Sequence, residues 1–275
     1  MSVAKKRKIG FLYNSPKIFG KDLLARCQRD SSSCFRGLPT PPETVTTIMC
    51  GRFAFFAKGQ FGYESLELPE SPPFERYNIA PTQDILAIRT SSETGRPEWA
   101  LLHWGLVSFW SKESKTKHLL INARAEGIET RPSFRGPVRH RRCIVPASGF
   151  YEWRRQGAGK QPYFVRPATD KVFALAGIWD HWEGKQGEVI ESVAIITTSA
   201  NELMQPIHDR MPVILEKDDL IEWLAPQTEL KLALAMLGLY PSEKMMAYPV
   251  NSVVNKARHD GPECITKLNV DEPPY

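Results

Sequence analysis

The pentapeptide Met49-Cys50-Gly51-Arg52-Phe53 carries the most reactive side chain that can be identified in this sequence. If translation starts at Met49, removal of that methionine makes Cys50 the first residue, with an amine and a thiol on adjacent carbons. Such a pair captures aldehydes, because the amine forms a Schiff base and the thiol then closes a five-membered thiazolidine. An α-amine with a pKa of about 8 is partly unprotonated at neutral pH, and we expect a cation such as Arg52 to lower the thiol pKa. As an internal residue, Cys50 would instead be a small buried hydrophobe.

Three polar residues alternate with alanines after Ile121. Asn122, Arg124 and Glu126 would share one face of a strand, because side chains alternate between the two faces. That face could simply be exposed to solvent. It could equally hold an oxygen-rich ligand and a phosphate, for which arginine is well suited.

Two candidate acid–base residues stand in otherwise apolar surroundings. Glu152 lies between Tyr151 and Trp153, where poor hydration would raise its pKa, although an exposed strand position is the alternative. His208 lies in a short polar stretch bounded by Pro206 and Pro212. It could relay protons, with Asp209 or Arg210 holding its neighbours, or it could belong to a structural ion-pair network.

Aromatic and basic residues occur together at Phe109-Trp110, which Lys112, Lys115 and Lys117 follow. Stacking on bases combined with attraction to phosphates is the usual way to hold a single nucleic-acid strand. This loop is therefore a candidate for binding a single strand.

The composition is that of a globular protein, with 42% hydrophobic and 24% charged residues among 275. Residues 1–48 contain nine of the 36 basic and three of the 31 acidic residues, so this stretch has a net charge of +6 and the remainder −1. Nucleic-acid binding by the remainder would depend on a local basic patch. Five widely spaced cysteines without a CxxC motif indicate neither a disulfide framework nor a metal site, and no cofactor is indicated.

No apolar run approaches the roughly 18–20 residues that cross a bilayer, and no apolar region follows the basic start. We therefore expect an intracellular protein without a membrane partner. It would be nuclear in a eukaryote if Lys5–Lys8 is an import signal, and otherwise cytoplasmic. Residues 1–48 are expected to be a disordered basic extension or to result from a misassigned start, and residues 49–270 to form the folded domain.

Short apolar runs separated by turn residues predict an α+β fold, a single compact domain with a mostly antiparallel sheet or pseudo-barrel and a few flanking helices. The predicted strands are Ile85–Ile88, Leu101–Val107, Cys143–Pro146, Tyr163–Val165, Val172–Ile178, Val193–Thr198 and Pro212–Leu215. The predicted helices are Ser199–Met204, Lys217–Leu224 and Thr228–Leu237.

Taken together and in this order, the motifs resemble the SOS-response-associated peptidase (SRAP) family of abasic-site processing proteins. The segments that carry the resemblance are Met49–Phe53, Tyr77–Gln83, His103–Leu106, Ile121–Glu126, Pro132–Arg135, Arg142–Trp153, Phe173–Trp179, Thr197–Asn201, Ile207–Leu215 and a tail around Val250–Cys264. Two features depart from the family pattern. Here 48 residues precede Met49, and the loop at Phe109 is one residue shorter, with Phe109 where tryptophan is common.

The resemblance implies a thiazolidine crosslink between the N-terminal cysteine and the sugar aldehyde of abasic sites in single-stranded DNA. Cys50 would be the nucleophile and Asn122 would bind the linkage. Glu152 would open the sugar ring, and His208 would assist Schiff-base chemistry and its reversal. The residues implied to contact or line the DNA site are Arg52, Asn78, Pro81, Phe109, Trp110 and Arg124.

The same resemblance implies self-cleavage before Cys50 and lyase-type activity. The partner would be single-stranded DNA with abasic sites, as found at replication forks, and we expect a monomer without a metal. Three alternatives remain. An N-terminal-nucleophile amidohydrolase also begins Met-Cys-Gly, but the chain has no Asn-Gly dipeptide to stabilise an oxyanion. The others are a non-catalytic single-strand binder and a protease acting on other proteins.

Overall fold

The structure, a computed structural model, describes residues 50–57, 63–114, 119–169 and 172–268, and β-strands dominate this part of the chain. The strands are β1 (Phe53–Phe55), β2 (Arg76–Ile79), β3 (Asp84–Thr90), β4 (Pro97–Trp104), β5 (Asn122–Arg124), β6 (Arg142–Ala147), β7 (Gly149–Gln156), β8 (Gly159–Pro167), β9 (Phe173–Glu183), β10 (Val189–Ser199), β11 (Arg210–Pro212), β12 (Ile214–Leu215) and β13 (Met245–Pro249). The helices are α1 (Pro137–His140), α2 (Leu220–Leu224) and α3 (Leu230–Ala235). Short 3₁₀ turns cover Glu64–Leu66, Lys217–Asp219, Ser242–Lys244, Ser252–Asn255 and Pro262–Ile265.

Five strands close into a barrel in the order β10, β4, β3, β6, β9 and back to β10. Neighbouring strands run antiparallel except where β10 runs parallel to β4 and to β5. Apolar side chains on both faces of these strands are fully buried, Ile85 and Leu102 on one face and Ile144 on the other. The predicted fold class, a compact α+β domain around a pseudo-barrel with few helices, is confirmed.

A second sheet, in the order β13, β8, β7, β1, β2, packs against the barrel. Its side chains alternate, as the pleat of a strand requires. Phe53 and Phe150 face the barrel, where Phe53 meets Trp104 with ring centroids 5.2 Å apart. Ala54 and Tyr151 face the other way, onto a separate apolar cluster. The second sheet is therefore covered on both faces.

Most of the predicted elements lie where the sequence places them. The strands expected within 85–88, 143–146, 163–165, 172–178 and 193–198 are confirmed, although the structure extends most of them. Helices within Lys217–Leu224 and Thr228–Leu237 are confirmed with narrower bounds.

The prediction of a helix at Ser199–Met204 is wrong. Ser199 ends β10, and the chain after it forms turns. The side-chain oxygen of Asn201 accepts the N–H of Met204 at 3.1 Å, a local bond that competes with helical bonding, and Pro206 follows.

Two predicted strands are interrupted. The strand predicted over Leu101–Val107 ends at Trp104, because Gly105 has a φ of 143°, far from the negative φ that strand residues adopt. The strand predicted over Pro212–Leu215 is divided at Val213. Before Val213 the chain pairs with β10, as strand β11. After Val213 it pairs with β9, as strand β12.

Within the described residues, no helix is long and apolar enough to cross a membrane. The predictions for residues 1–48, including Lys5–Lys8, and for Lys115 and Lys117 concern residues outside the described ranges.

Candidate functional site

The centre of the site is a contact between residues 102 positions apart. The backbone N–H of Cys50 donates to Oε1 of Glu152 at 2.7 Å, and both residues are buried. The register of β1 against β7 explains this contact, because Phe53 pairs with Phe150 and the N–H of Tyr151 donates to the carbonyl of Arg52. Extending that antiparallel register by one step places Glu152 beside the start of the domain.

Gly149 lets β7 reach this position. A Cβ there would lie 2.6 Å from the carbonyl oxygen of Val165 and 2.4 Å from the ring of Phe164, closer than real contacts allow. The strand that carries Glu152 can therefore pack against β8 only because residue 149 has no side chain.

The electrostatics of the pair follow from burial. Burial and the neighbouring carboxylate of Glu152 raise the pKa of the Cys50 thiol well above its usual value, and the charge of Arg210 opposes this effect. The expectation that Arg52 would lower the thiol pKa is therefore wrong for the chain as it stands, because burial and the carboxylate of Glu152 outweigh the charge of Arg210. Burial also raises the pKa of Glu152, against the opposing effects of His208 and of hydrogen bonds from Cys50.

His208 completes the centre. It lies close enough to Glu152 for its charge to act on that carboxyl. Its Nδ1 is 2.9 Å from a carboxylate oxygen of Asp209 and 3.1 Å from the backbone nitrogen of Arg210. When Nδ1 accepts the N–H of Arg210, the neutral ring carries its proton on Nε2. The sequence-predicted residues Cys50, Glu152 and His208 are thus brought together.

Arg124 and Arg210 lie on either side of β10. On one side of β10, Arg124 of β5 is paired with Thr197. On the other side, Arg210 of β11 is paired with Ser199. Arg124 is exposed, whereas Arg210 forms two bonds to the carboxylate of Glu126, of 2.7 and 2.9 Å. Glu126 lies beyond the end of β5, so the expected three-residue face is shorter in the structure. Asn122 is half-buried at the start of that strand.

Arg52 and Asn78 are held inside the protein. The Nη1 of Arg52 donates to the Oδ1 of Asn78 at 2.8 Å and to the carbonyl of Val254 at 2.7 Å. The guanidinium also lies over the ring of Trp153, 5.9 Å from its centroid. Asn78 is fully buried. Pro81, at the turn after β2, is partly exposed.

The aromatic loop faces solvent. Phe109 is 61% and Trp110 54% exposed, so both rings are accessible for stacking. The N–H of Phe109 donates to buried Asp180 at 3.0 Å, and Trp182 donates to the carbonyl of Ser111 at 2.8 Å, which fixes the loop. Beside the loop runs a groove of about 480 Å³. It is lined by Phe109, Trp110, Pro132, Ser133, Arg135, Gly136, Pro137 and Asp180. None of these lining residues is Cys50, Glu152 or His208, so the groove is separate from the reactive centre.

Sequence reasoning missed the proximity of Arg210 to Cys50 and the role of residues 250–266, which bind Arg52 and Asn78. The only local signal for the first was the dense polar stretch around His208. For the second there was no signal, because the bonds join segments more than 170 residues apart. Across the described ranges, no group of three or more His, Cys, Asp or Glu residues could hold a metal ion.

Comparison with known proteins places these features in a family. A family model described as SOS response associated peptidase (SRAP) matches residues 49–257. The abasic site processing protein YoqW of Bacillus subtilis (strain 168) is 40% identical over 224 residues, which cover 79% of this chain and 99% of that protein. The abasic site processing protein HMCES of Gallus gallus is 36% identical over 195 residues, which cover 62% of this chain and 58% of that protein. The resemblance inferred from the motifs is confirmed.

Solved structures share the fold. A protein from Bacteroides thetaiotaomicron superposes with a TM-score of 0.71 at 30% identity, covering 80% of this chain and 100% of that one. A phage-related protein from Bordetella bronchiseptica superposes with a TM-score of 0.60 at 28% identity, covering 74% of this chain and 95% of that one.

Proposed function

The chain belongs to the SOS response associated peptidase (SRAP) family, and from that premise we propose that it processes abasic sites in DNA. We propose further that it captures the abasic sugar in single-stranded DNA as a covalent thiazolidine through Cys50, once the preceding residues have been removed. The names of its relatives support the processing of abasic sites, since YoqW and HMCES are both abasic site processing proteins.

The observation that carries the proposal is the 2.7 Å contact between the nitrogen of Cys50 and Oε1 of Glu152. In the processed protein that nitrogen is a primary amine. It is then next to a buried carboxyl whose pKa is raised by desolvation, which favours its acid form and so its use as a proton donor. His208 lies within electrostatic reach of the same carboxyl.

The chemistry follows from these atoms. Glu152 donates a proton to the ring oxygen of the abasic deoxyribose, the bond between that oxygen and C1′ breaks, and the C1′ hydroxyl releases its proton to water as it becomes the aldehyde. The amine of Cys50 adds to the aldehyde carbon, and loss of water leaves a Schiff base. The thiol sulfur then adds to that carbon while its proton passes to the nitrogen, which gives the thiazolidine without any oxidant or reductant. The sulfur enters this step as the thiol, so its own proton is the one that the nitrogen gains.

The Schiff base also explains why lyase-type activity belongs to the proposal. A Schiff base acidifies the neighbouring carbon of the sugar, and loss of that proton expels the 3′ phosphate. Closure by the thiol removes the Schiff base and so competes with strand cleavage. His208 is the group we assign to proton transfer during closure and reversal.

The DNA would lie across the exposed side of this centre. Arg124 is exposed beside β10, and we assign it to a flanking phosphate. The rings of Phe109 and Trp110 offer a stacking surface at the groove. Because Arg52 and Asn78 are bonded within the protein, we assign them to shaping the site, and Pro81 and Asn122 to lining it.

The condition on the N-terminus is essential. An amide nitrogen cannot form a Schiff base, so residues 1–49 must be absent or removed. Translation from Met49 with loss of methionine, or self-cleavage before Cys50, would each produce the amine. Mass spectrometry of the mature protein distinguishes these routes from a chain that retains residue 49.

A denaturing gel tests the function. Protein starting at Cys50 is incubated with single-stranded DNA that carries one abasic site, and a heat-stable shifted band is expected. Cys50→Ala should abolish the band, whereas Cys143→Ala, which removes another buried thiol on β6 of the barrel, should retain it. Cys50→Ser keeps the amine but should lose the stable band, because the thiol is needed to close the ring. A wild-type protein that binds this DNA only reversibly would refute the proposal.

A further inference from the structure

Residues 250–266, here called the clasp, cover the outer face of the second sheet. Val250, Val254 and Cys264 are fully buried and pack against Ala54 and Tyr151 of that sheet. The strands they cover are β1, which begins three residues after Cys50, and β7, which contains Glu152. The clasp therefore supports, from behind, the two strands that position the reactive pair.

Polar bonds join the clasp to the Cys50 side of the pair. The side-chain amide of Asn78 donates to the carbonyls of Val254, Lys256 and His259, at 3.1, 3.1 and 2.6 Å. Arg52, two residues after Cys50, donates to both Asn78 and Val254. The clasp thus holds Arg52 directly, through the carbonyl of Val254, and indirectly, through Asn78.

The clasp also reaches the Glu152 side. The indole N–H of Trp153 donates to Oδ1 of Asn255 at 2.7 Å, and the same ring lies under the guanidinium of Arg52. Each member of the reactive pair therefore has a near neighbour in sequence, Arg52 or Trp153, bonded to the same short segment.

Asp260 anchors the clasp to the edge of the sheet. Its Oδ1 accepts the backbone N–H groups of Tyr77 and Asn78, at 2.6 and 2.7 Å, and its Oδ2 bonds to Arg76. Strand β2 is at the edge of its sheet, and its pairing with β1 shifts register between Ile79 and Arg76, so Tyr77 and Asn78 have no partner residues in that ladder. One carboxylate thus completes the edge and ties β2 to the clasp.

We propose that the clasp is a positioning element for the Cys50–Glu152 pair, with Asp260 as its anchoring residue. This inference rests on the proposed function, because it concerns the crosslinking step. Without the anchor, Arg52 and Trp153 lose their common support, and the nitrogen of Cys50 is held less closely to Oε1 of Glu152. Rates that depend on alignment fall steeply with displacements of about 1 Å, by up to about a hundredfold.

The test compares variants of the protein that starts at Cys50. Asp260→Ala removes both acceptors, whereas Asp260→Asn keeps an oxygen for the two N–H groups and serves as the conservative variant. Glu263→Ala, at an exposed acid in the same segment, is the matched control. Two quantities are measured, namely the crosslinking rate at saturating abasic DNA and the affinity for DNA that carries a non-reactive tetrahydrofuran abasic analogue.

Asp260→Ala should lower the saturating rate at least about tenfold while the affinity changes less than about threefold, as expected for lost alignment. Asp260→Asn should restore most of the rate, and Glu263→Ala should match wild type. If Asp260→Ala does not fold, Asn255→Ala, which removes the acceptor of Trp153, should show the same separation of rate from affinity. A rate equal to that of the control, or parallel losses of rate and affinity, would overturn this inference alone. A wild type that forms no crosslink would overturn the proposed function as well.

Discussion

Arg142 offers a prediction whose size can be worked from the structure. The side chain is 3% exposed, yet no carboxylate bonds to it within the described residues. Its guanidinium instead donates to four carbonyls at the ends of two helices. They are those of Val138 and Arg139 in α1, Trp223 in α2 and Ala225 just after α2. These are carbonyls that a helix leaves without internal partners.

The perturbation is Arg142→Met, which keeps the apolar stem and removes every donor. The carbonyls of Val138 and Trp223 are buried, while those of Arg139 and Ala225 are partly accessible to water. An unpaired buried acceptor costs about 1–3 kcal/mol, so the two buried carbonyls together cost about 2–6 kcal/mol. Relief of the desolvated charge offsets part of this. We expect a net loss of about 3 kcal/mol in the free energy of unfolding.

Chemical and thermal denaturation measure the effect. A loss of about 3 kcal/mol corresponds to a fall in Tm of about 6–12 °C for a domain of this size. Arg139→Met makes the same chemical change at an exposed side chain, and it should alter stability by less than about 0.5 kcal/mol. If Arg142→Met proves as stable as Arg139→Met, the carbonyls do not depend on the guanidinium and the reasoning fails.

Two further predictions concern the site, and a third concerns an ion pair beside it. Glu152→Gln should slow crosslinking at saturating DNA by about a hundredfold or more through loss of proton transfer, and leave the salt dependence of DNA binding unchanged. Arg124→Ala should weaken binding and lower the slope of log K against log salt by about 1, so equal slopes for the two variants would contradict the assigned roles. The hydrogen bond from Arg210 lowers the pKa of Glu126 in the folded protein. This pair therefore stabilises the fold fully at pH values above about 4.3, the pKa of a glutamate in the unfolded chain. The stabilisation is lost as the pH falls through the lower pKa that Glu126 has in the folded protein. The stability difference between wild type and Glu126→Gln should therefore be constant at pH 6–8 and shrink as the pH falls below about 4.3. A difference that stays constant in acid would argue against the pair.

The sequence by itself determined the reagents and most of the elements. The motif around Cys50 indicated thiazolidine chemistry, and the apolar runs indicated buried strands such as Cys143–Pro146, because short-range pattern encodes which residues avoid water. An acid flanked by aromatics at Glu152 suggested a raised pKa, and the structure bears out its burial. Where local hydrogen bonding competes with the pattern, as at Asn201, the prediction failed.

Only the tertiary structure decided which groups meet and what their environment does to them. The antiparallel register of β1 and β7 brings Glu152 to Cys50 across 102 residues, and no local pattern specifies that pairing. Burial turns the thiol pKa upward where the sequence suggested it would fall, since desolvation depends on every element packed around the sulfur. Closure of the barrel through β9 and β10, and the bonds from residues 250–266 to Arg52, likewise join distant segments. The sequence names the reactive groups, and long-range packing sets their distances and protonation.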